Sequence, residues 1–543
     1  MLKRAWKPIL GTAVVVGTPT YIYYRYYSTK RQGREIFDIP VRVRGSDGKP
    51  TTISHSVNMI SKEQLEARLK EHMEAVITPR PNGITWKHTT AYLASNDPIE
   101  DANANKIIER DPSEHSPAGD LVFYAVMDGH GGPNTSRLLS KVLLPAVALE
   151  LHSLINEPAS YLPKAGLLQN WKAYIWPTTT VTKHFDADPT YISLAIQTAF
   201  ANLDSEIINA PLRIIAEELS KPDVSKNTVP DLSQHPMAMA TMLPAMSGSC
   251  ALMALFDTAH DNLYVACTGD CRAVAGVWEE SVDGTGSWRT DVLTEDQTGR
   301  NPNELARMQS EHPADERDTV IMRGRVLGGL EPTRAFGDAR YKWSREIQEL
   351  LSWVFLKGNN ESMRATPALL KTPPYVTPRP VVTHRKLSLH SSSSDPNSPK
   401  SKLRFLVLAT DGLWDQLSSE EVVSLVGGHL QGLKGIVPKS DLQTLVPTSS
   451  GKTVEGKDKR SRNSKKGGSW AFADENLSTH LIRNAFGGGD EVRLRQLLSI
   501  PAPYARNYRD DVTCTVVYWE DGQENEAKTT TFSVEQKGTK AKL

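Results

Sequence analysis

Acidic residues stand beside several predicted strands, where they could meet at one edge of a sheet. Asp128 ends an apolar run in MDGHGG, Asp411 ends another in LATDGLWD, and Asp510 precedes a third in RDDVT. A further acidic pair, Glu100 and Asp101, lies upstream in PIED. Carboxylate oxygens without cysteine ligands favour hard cations such as Mg²⁺ or Mn²⁺, which would also relieve the repulsion between neighbouring carboxylates. These residues predict a cation site, although any one Asp-Gly pair is typical of an ordinary turn.

The elements around these acids predict a mixed α+β chain. Apolar runs predict strands at 121–128, 249–278 (three strands separated by turns), 403–411 and 510–519. Apolar residues at helical spacing predict helices at 61–77, 136–155, 191–208, 211–220, 303–313 and 419–426. Because the acids stand where strands begin or end, the sheets must position them.

Composition narrows the class of protein. Lys plus Arg and Asp plus Glu both number 63 in 543 residues, which argues against a protein organised around nucleic acid. The hydrophobic fraction of 39% suffices for a large core. The four cysteines form no CxxC pair and fit neither a zinc site nor a secreted disulfide framework, so we expect buried thiols. Redox sensing by Cys250 and Cys271 is the alternative.

The first 35 residues differ from the rest. No acid precedes Glu35, basic stretches flank an uncharged run at 9–24, and hydroxyl residues are present. This composition predicts mitochondrial targeting, with the run either removed or kept as an inner-membrane anchor. A secretory signal and an ordinary buried element are the alternatives.

Motifs along the chain resemble those of the metal-dependent Ser/Thr protein phosphatases of the 2C type. They occur in the family's order: PIED, VMDGHGG, SGSCA, CTGDCRAV, RVLGGLEPTRAFGDARYKW, LATDGLWD and RDDVT. Within the family, SNDPIED, NPNELARMQSEHP, EPTRAFGDARYKWS and TPPYVTPRPVVTH are most similar to the mitochondrial pyruvate dehydrogenase phosphatases, in a fungal form. The resemblance covers most of residues 90–519.

The resemblance implies a four-layer αββα sandwich of two antiparallel β-sheets flanked by helices, with a binuclear Mg²⁺ or Mn²⁺ site at one end. It implies that Asp128 bridges both cations and that the Gly129 carbonyl binds one. The remaining carboxylates would come from Glu100, Asp411 and Asp510.

Other roles also rest on the resemblance. Asp101 would orient a metal-bound water, while Asp338 and Asp415 would hold a third, weaker cation. A hydroxide bridging the two cations would attack phosphorus, and His130 would protonate the leaving serine oxygen. By itself, a histidine beside glycines is more often a turn or capping residue. Many family members have a phosphate-binding arginine where this chain has Asn96, whose amide could still donate hydrogen bonds to the phosphate.

The resemblance also divides the chain. We expect a targeting segment at 1–35, an N-terminal extension at 36–89, a phosphatase domain at 90–525 and a polar tail at 526–543. Polar segments near 386–402 and 449–468 predict mobile insertions, and the second, which is basic, could contact an acidic partner.

The function implied is phosphoserine hydrolysis in mitochondria, in the matrix or at the inner membrane. The expected substrate is the E1 subunit of the pyruvate dehydrogenase complex. The alternatives are the same chemistry on another mitochondrial phosphoprotein and a catalytically inactive binding module.

Overall fold

The computed structural model describes residues 35–44, 50–112, 117–156, 186–222, 229–280, 286–389, 400–451 and 467–521. The predicted targeting segment with its apolar run at 9–24 lies outside these ranges, apart from Glu35. So do the polar tail at 526–543 and most of the two predicted insertions.

Runs of strands and runs of helices follow one another along the chain. The strands are β1 Ile36–Arg44, β2 Pro50–Asn58, β3 Met73–Pro79, β4 Ile84–Leu93, β5 Ala102–Arg110, β6 Gly119–His130, β7 Gly248–Asp257, β8 Asn262–Thr268, β9 Arg272–Glu280, β10 Gly286–Val292, β11 Ile321–Met322, β12 Arg325–Val326, β13 Phe336–Gly337, β14 Val381–Lys386, β15 Lys400–Ala409, β16 Gly435–Pro438, β17 Thr448–Ser449, β18 Ser469–Phe472 and β19 Val512–Asp521. The helices are α1 Lys62–Lys70, α2 Asn134–Asn156, α3 Pro189–Leu219, α4 Ala238–Met246, α5 Pro302–Glu311, α6 Arg345–Leu351, α7 Asp411–Trp414, α8 Ser419–Leu430, α9 Lys439–Leu445, α10 Leu477–Phe486 and α11 Glu491–Ser499.

Two large sheets form the centre of the molecule. One has seven strands in the order β17-β10-β9-β15-β19-β4-β3, and the other follows the order β14-β8-β7-β6-β5 with β13 added alongside β7. Neighbouring strands are antiparallel except for the short pair β10 and β17, which is parallel. Apart from that edge pair, the sheets are antiparallel as predicted.

Apolar side chains between the two sheets make the central layer of the core. Trp86, Phe256 and Leu406, from β4, β7 and β15, are fully buried there. On the outer faces, α2, α3 and α4 cover the six-stranded sheet, while α1, α8, α10 and α11 cover the seven-stranded one. Each sheet thus buries both of its faces, and the four-layer αββα sandwich is confirmed.

Part of the predicted N-terminal extension, from α1 to the start of β4, belongs to this sandwich, whereas β1 and β2 form a separate two-stranded sheet. Two predicted boundaries therefore differ in the structure. The helix predicted at 61–77 ends at Lys70, because the residues from Met73 onward pair with β4 as the edge strand β3. The domain start predicted at residue 90 falls inside β4. Strand pairing here overrides the helical spacing of the sequence.

The helices predicted at 191–208 and 211–220 are a single helix, α3. Pro211 lies inside it and is buried together with Ile207, Ile214 and Ile215. These residues are three or four positions apart, so one apolar face continues past the proline.

Helix α2 is long and apolar enough to cross a membrane. Its buried residues, including Leu139, Leu143 and Val147, pack in the core outside the six-stranded sheet, as in a core helix.

Candidate active site

Three carboxylates from separate parts of the chain meet at one end of the sandwich. Asp128, Asp270 and Asp411 each offer an oxygen, and these oxygens lie within 4.8 Å of one another. Asp128 lies near the end of β6, Asp411 begins α7 directly after β15, and Asp270 lies in the turn between β8 and β9. Since β6 and β15 belong to different sheets, the site depends on how the two sheets stack.

Asp270 was missed by the sequence analysis. It is buried, and the thiol of Cys250 donates to its Oδ1 at 3.2 Å. The sequence does contain a pattern that indicates Asp270: TGDC places an acid just after an apolar run, as MDG and TDG do for Asp128 and Asp411.

The main chain around Gly129 packs closely against Glu100. A Cβ on Gly129 would lie 2.1 Å from the carbonyl oxygen of Glu100, so only glycine fits. The Glu100 carboxylate accepts a hydrogen bond from the Gly132 N–H at 2.6 Å, and its carbonyl accepts from the Ser136 hydroxyl at 2.5 Å. Glu100 is thereby attached to the turn that follows Asp128.

Asp511 anchors the segment that carries Glu100. Its carboxylate accepts hydrogen bonds from the backbone N–H groups of Ser95, Asn96 and Glu100 at 2.6 to 2.9 Å. The side-chain amide of Asn96 donates to Asp511 at 2.9 Å and to Glu100 at 3.3 Å. Both carboxylates therefore accept hydrogen bonds from the amide that was predicted to contact phosphate.

The other predicted cation ligands lie outside the three-carboxylate group, among the residues that the structure describes. Asp101 is buried and accepts from the Thr410 hydroxyl at 2.8 Å, and burial followed by the charge of Asp511 raises its pKa. Asp510 pairs with Arg506. Asp415 follows Asp411 by one helical turn, and its backbone N–H donates a hydrogen bond to the Asp411 carbonyl oxygen at 2.8 Å.

Asp338 contacts His130 instead of the three-carboxylate group. Its Oδ2 lies 2.6 Å from Nε2 of His130. Its role as ligand of a third cation stays a prediction. The pair fits only because residue 248 is glycine: a Cβ there would lie 2.1 Å from Nε2 and 2.3 Å from Oδ2. Burial acts to lower the pKa of His130, but the charge and hydrogen bond of Asp338, with Asp270 and Glu100, raise it overall. A raised pKa favours the protonated imidazole.

The donor set fits Mg²⁺ or Mn²⁺. The group that meets is made of carboxylates, with Glu100 and the Gly129 main chain adjacent, and the nearby His130 is engaged by Asp338. Oxygen donors of this kind suit hard cations, and three converging carboxylates would repel one another without positive charge.

The cysteines are packing residues. All four are free and buried, and burial raises the pKa of each thiol. A buried thiol of raised pKa forms little reactive thiolate, which disfavours redox sensing by Cys250 and Cys271.

Comparison with known proteins places the chain in a family. Residues 212–434 match the model of protein phosphatase 2C. A protein phosphatase 2C homolog of Schizosaccharomyces pombe is 37% identical, with 84% of each chain covered. The mitochondrial [pyruvate dehydrogenase [acetyl-transferring]]-phosphatase 1 of Saccharomyces cerevisiae is 32% identical over 91% of this chain and 79% of its own. The human mitochondrial [pyruvate dehydrogenase [acetyl-transferring]]-phosphatase 2 is 34% identical over 81% of this chain and 78% of its own. Identity of this extent shows that the chain belongs to the protein phosphatase 2C family and is a protein serine/threonine phosphatase.

Proposed function

We propose that this phosphatase uses Mg²⁺ or Mn²⁺ to hydrolyse phosphoserine on the E1 subunit of pyruvate dehydrogenase in mitochondria. The observation that carries the chemistry is the convergence of Asp128, Asp270 and Asp411 at the end of the sandwich where His130 pairs with Asp338. The names of the yeast and human relatives support the substrate and the location.

Different residues of this chain would bind the cations, donate the proton and position the ligands. Asp128, Asp270 and Asp411, with Glu100 and the Gly129 carbonyl, would hold the cations. When bound, the cations supply positive charge at the phosphoryl oxygens and activate the water nucleophile. His130 donates the proton that the departing serine oxygen needs, and Asp338 keeps the imidazole protonated and oriented. Asp511 accepts a hydrogen bond from the Glu100 N–H and so keeps the Glu100 segment beside the three-carboxylate group.

The substrate is tested with phosphorylated E1 subunit. We expect phosphate release that depends on Mn²⁺, stops on chelation and is lost in Asp128→Asn. We also expect kcat/KM for E1 to exceed that for an unrelated phosphoserine protein by at least about tenfold, a difference of about 1.4 kcal/mol. Equal values for the two proteins would contradict the E1 proposal and favour another mitochondrial phosphoprotein. Release that survives chelation would contradict the metal dependence.

The location is tested by fractionation of cells that produce the full chain. We expect the protein in mitochondria and protected from added protease until the inner membrane is opened. Recovery in the cytosol would contradict the mitochondrial proposal.

A further inference from the structure

An arginine from a distant segment lies beside the His130 turn. Gly131 adopts a left-handed conformation with φ +70°, and a Cβ placed on it would lie 3.9 Å from Nη2 of Arg364. Arg364 is 234 positions after His130 in the numbering, and no motif of the sequence pointed to it. The guanidinium therefore reaches the residue next to the proton donor.

A second relationship links Arg364 to the segment that carries Asp338. Tyr341 follows Asp338 by three positions. Burial raises the pKa of Tyr341, and the charges of Arg340, Asp338 and Arg364 all act on its hydroxyl. Arg364 thus lies beside Gly131, the residue after His130, and its charge acts on Tyr341 in the segment after Asp338.

The guanidinium is available for a ligand. Arg364 is exposed, and its side chain has no hydrogen bond or ion pair with the residues that the structure describes. Its backbone is held on both sides: Met363 packs against the core under the helices, and the Thr366 hydroxyl donates to the buried Gln348 at 2.9 Å. Because the segment is anchored, the freedom lost on binding a ligand is limited to that of the side chain itself.

An arginine at this rim would add to the positive charge that the bound cations supply to a phosphate. A substrate phosphate carries negative charge into a centre of converging carboxylates, and an arginine fork matches phosphate oxygens in geometry and charge. Asn96 is neutral, and its amide is engaged by Asp511 and Glu100. Position 96 therefore supplies no cation.

We propose that Arg364 binds the substrate phosphate in this enzyme. It contributes the guanidinium from the segment between α6 and β14, in place of a cationic side chain from the segment that carries Glu100. The proposal rests on the phosphatase activity and does not depend on which phosphoprotein is the substrate.

The test measures phosphate affinity in the Mn²⁺-loaded full chain, with p-nitrophenyl phosphate as substrate and inorganic phosphate as inhibitor. Arg364→Ala should raise the KM for the substrate and the Ki for phosphate by about tenfold, while kcat changes less than about threefold. Arg364→Lys, which keeps the charge but not the fork, should recover part of this loss. The rise in melting temperature that phosphate produces should shrink in Arg364→Ala, which gives a readout independent of turnover.

Arg317→Ala is the matched control, because Arg317 is also exposed and its hydrogen bonds within the described part of the chain involve only its backbone. It should leave KM and Ki unchanged. The proposal is overturned if Arg364→Ala leaves the phosphate Ki within about twofold of the native value, or if Arg317→Ala raises it equally. Use of a small substrate separates this outcome from failure of the E1 proposal.

Discussion

Nε2 of His130 and Oδ2 of Asp338 lie 2.6 Å apart although the residues are 208 positions apart in the chain. Asp338 reaches this place through a left-handed backbone with φ +47°, and its N–H donates to the Ser247 carbonyl at 2.9 Å. His130 pairs in register with Gly248 at the start of β7. The pair therefore depends on β6, β7 and the 336–338 segment together.

The pair predicts a dependence on the leaving group. His130→Ala should lower kcat on a phosphoserine peptide by about 10² to 10⁴, the usual contribution of a general acid. It should lower kcat far less on p-nitrophenyl phosphate, whose leaving group needs no proton. Asp338→Asn should act in the same direction but more weakly, and should add little in the His130→Ala background. Equal losses on both substrates would contradict the general-acid role.

Gly248 predicts a steric test of the same pair. Gly248→Ala places a methyl group on both His130 and Asp338, so kcat on the phosphoserine peptide should fall by at least about tenfold. The overpacked site should also lose about 1–3 kcal/mol of unfolding free energy, measured by urea denaturation. Gly467→Ala is the control, because a Cβ there meets nothing within 4 Å. Native activity in Gly248→Ala would show that the pair is dispensable.

Asp270 predicts a change in cation affinity. Asp270→Asn removes one charge from the three-carboxylate group but keeps an acceptor for the Cys250 thiol. The Mn²⁺ concentration for half-maximal activity should rise by about tenfold, and calorimetric Mn²⁺ titration should show weaker binding. Asp315→Asn removes an exposed acid paired with Lys371 and should change neither value. Unchanged binding in Asp270→Asn would exclude Asp270 from the cation site.

The buried His480 should make the free energy of unfolding fall at acidic pH. It is buried in α10, and burial, with the neighbouring His429, lowers its pKa to about 3. In the unfolded chain the pKa is about 6.5, so its contribution is fully present above that pH. As pH falls from about 6.5 toward 3, protonation favours the unfolded state by up to about 1.4 kcal/mol per pH unit.

The measurement is urea unfolding at about pH 7 and about pH 5, in the native protein and in His480→Phe. The variant cannot titrate, so it should lose less stability between the two pH values. His72→Phe is the control, because it keeps an aromatic ring on Tyr92 at a partly exposed position and should retain the native pH dependence. An unchanged pH dependence in His480→Phe would show that other groups cause the acid loss.

Much of this molecule could be predicted from local sequence. The apolar runs that became β6, β7, β8, β9, β15 and β19 were correctly assigned as strands, because a short apolar run bounded by turn residues is a local property. Acids at the strand ends indicated a cation site, and Asp128 and Asp411 do meet. Motif order implied the sandwich and the family, both of which were confirmed.

Contacts between distant segments could not be predicted in this way. Helical spacing in 61–77 did not show that Met73 begins an edge strand, since that depends on pairing with β4. Nothing local showed that Asp338 would meet His130, or that Asp511 would hold the Asn96 amide.

By itself, therefore, the sequence determined the class of chemistry through residue types at strand ends. The tertiary structure decided which of these residues act together, because their meeting depends on strand register and on the stacking of two sheets. It brought Asp270 to Asp128 and Asp411, and Arg364 to Gly131. Such meetings join residues hundreds of positions apart, beyond the reach of any local pattern.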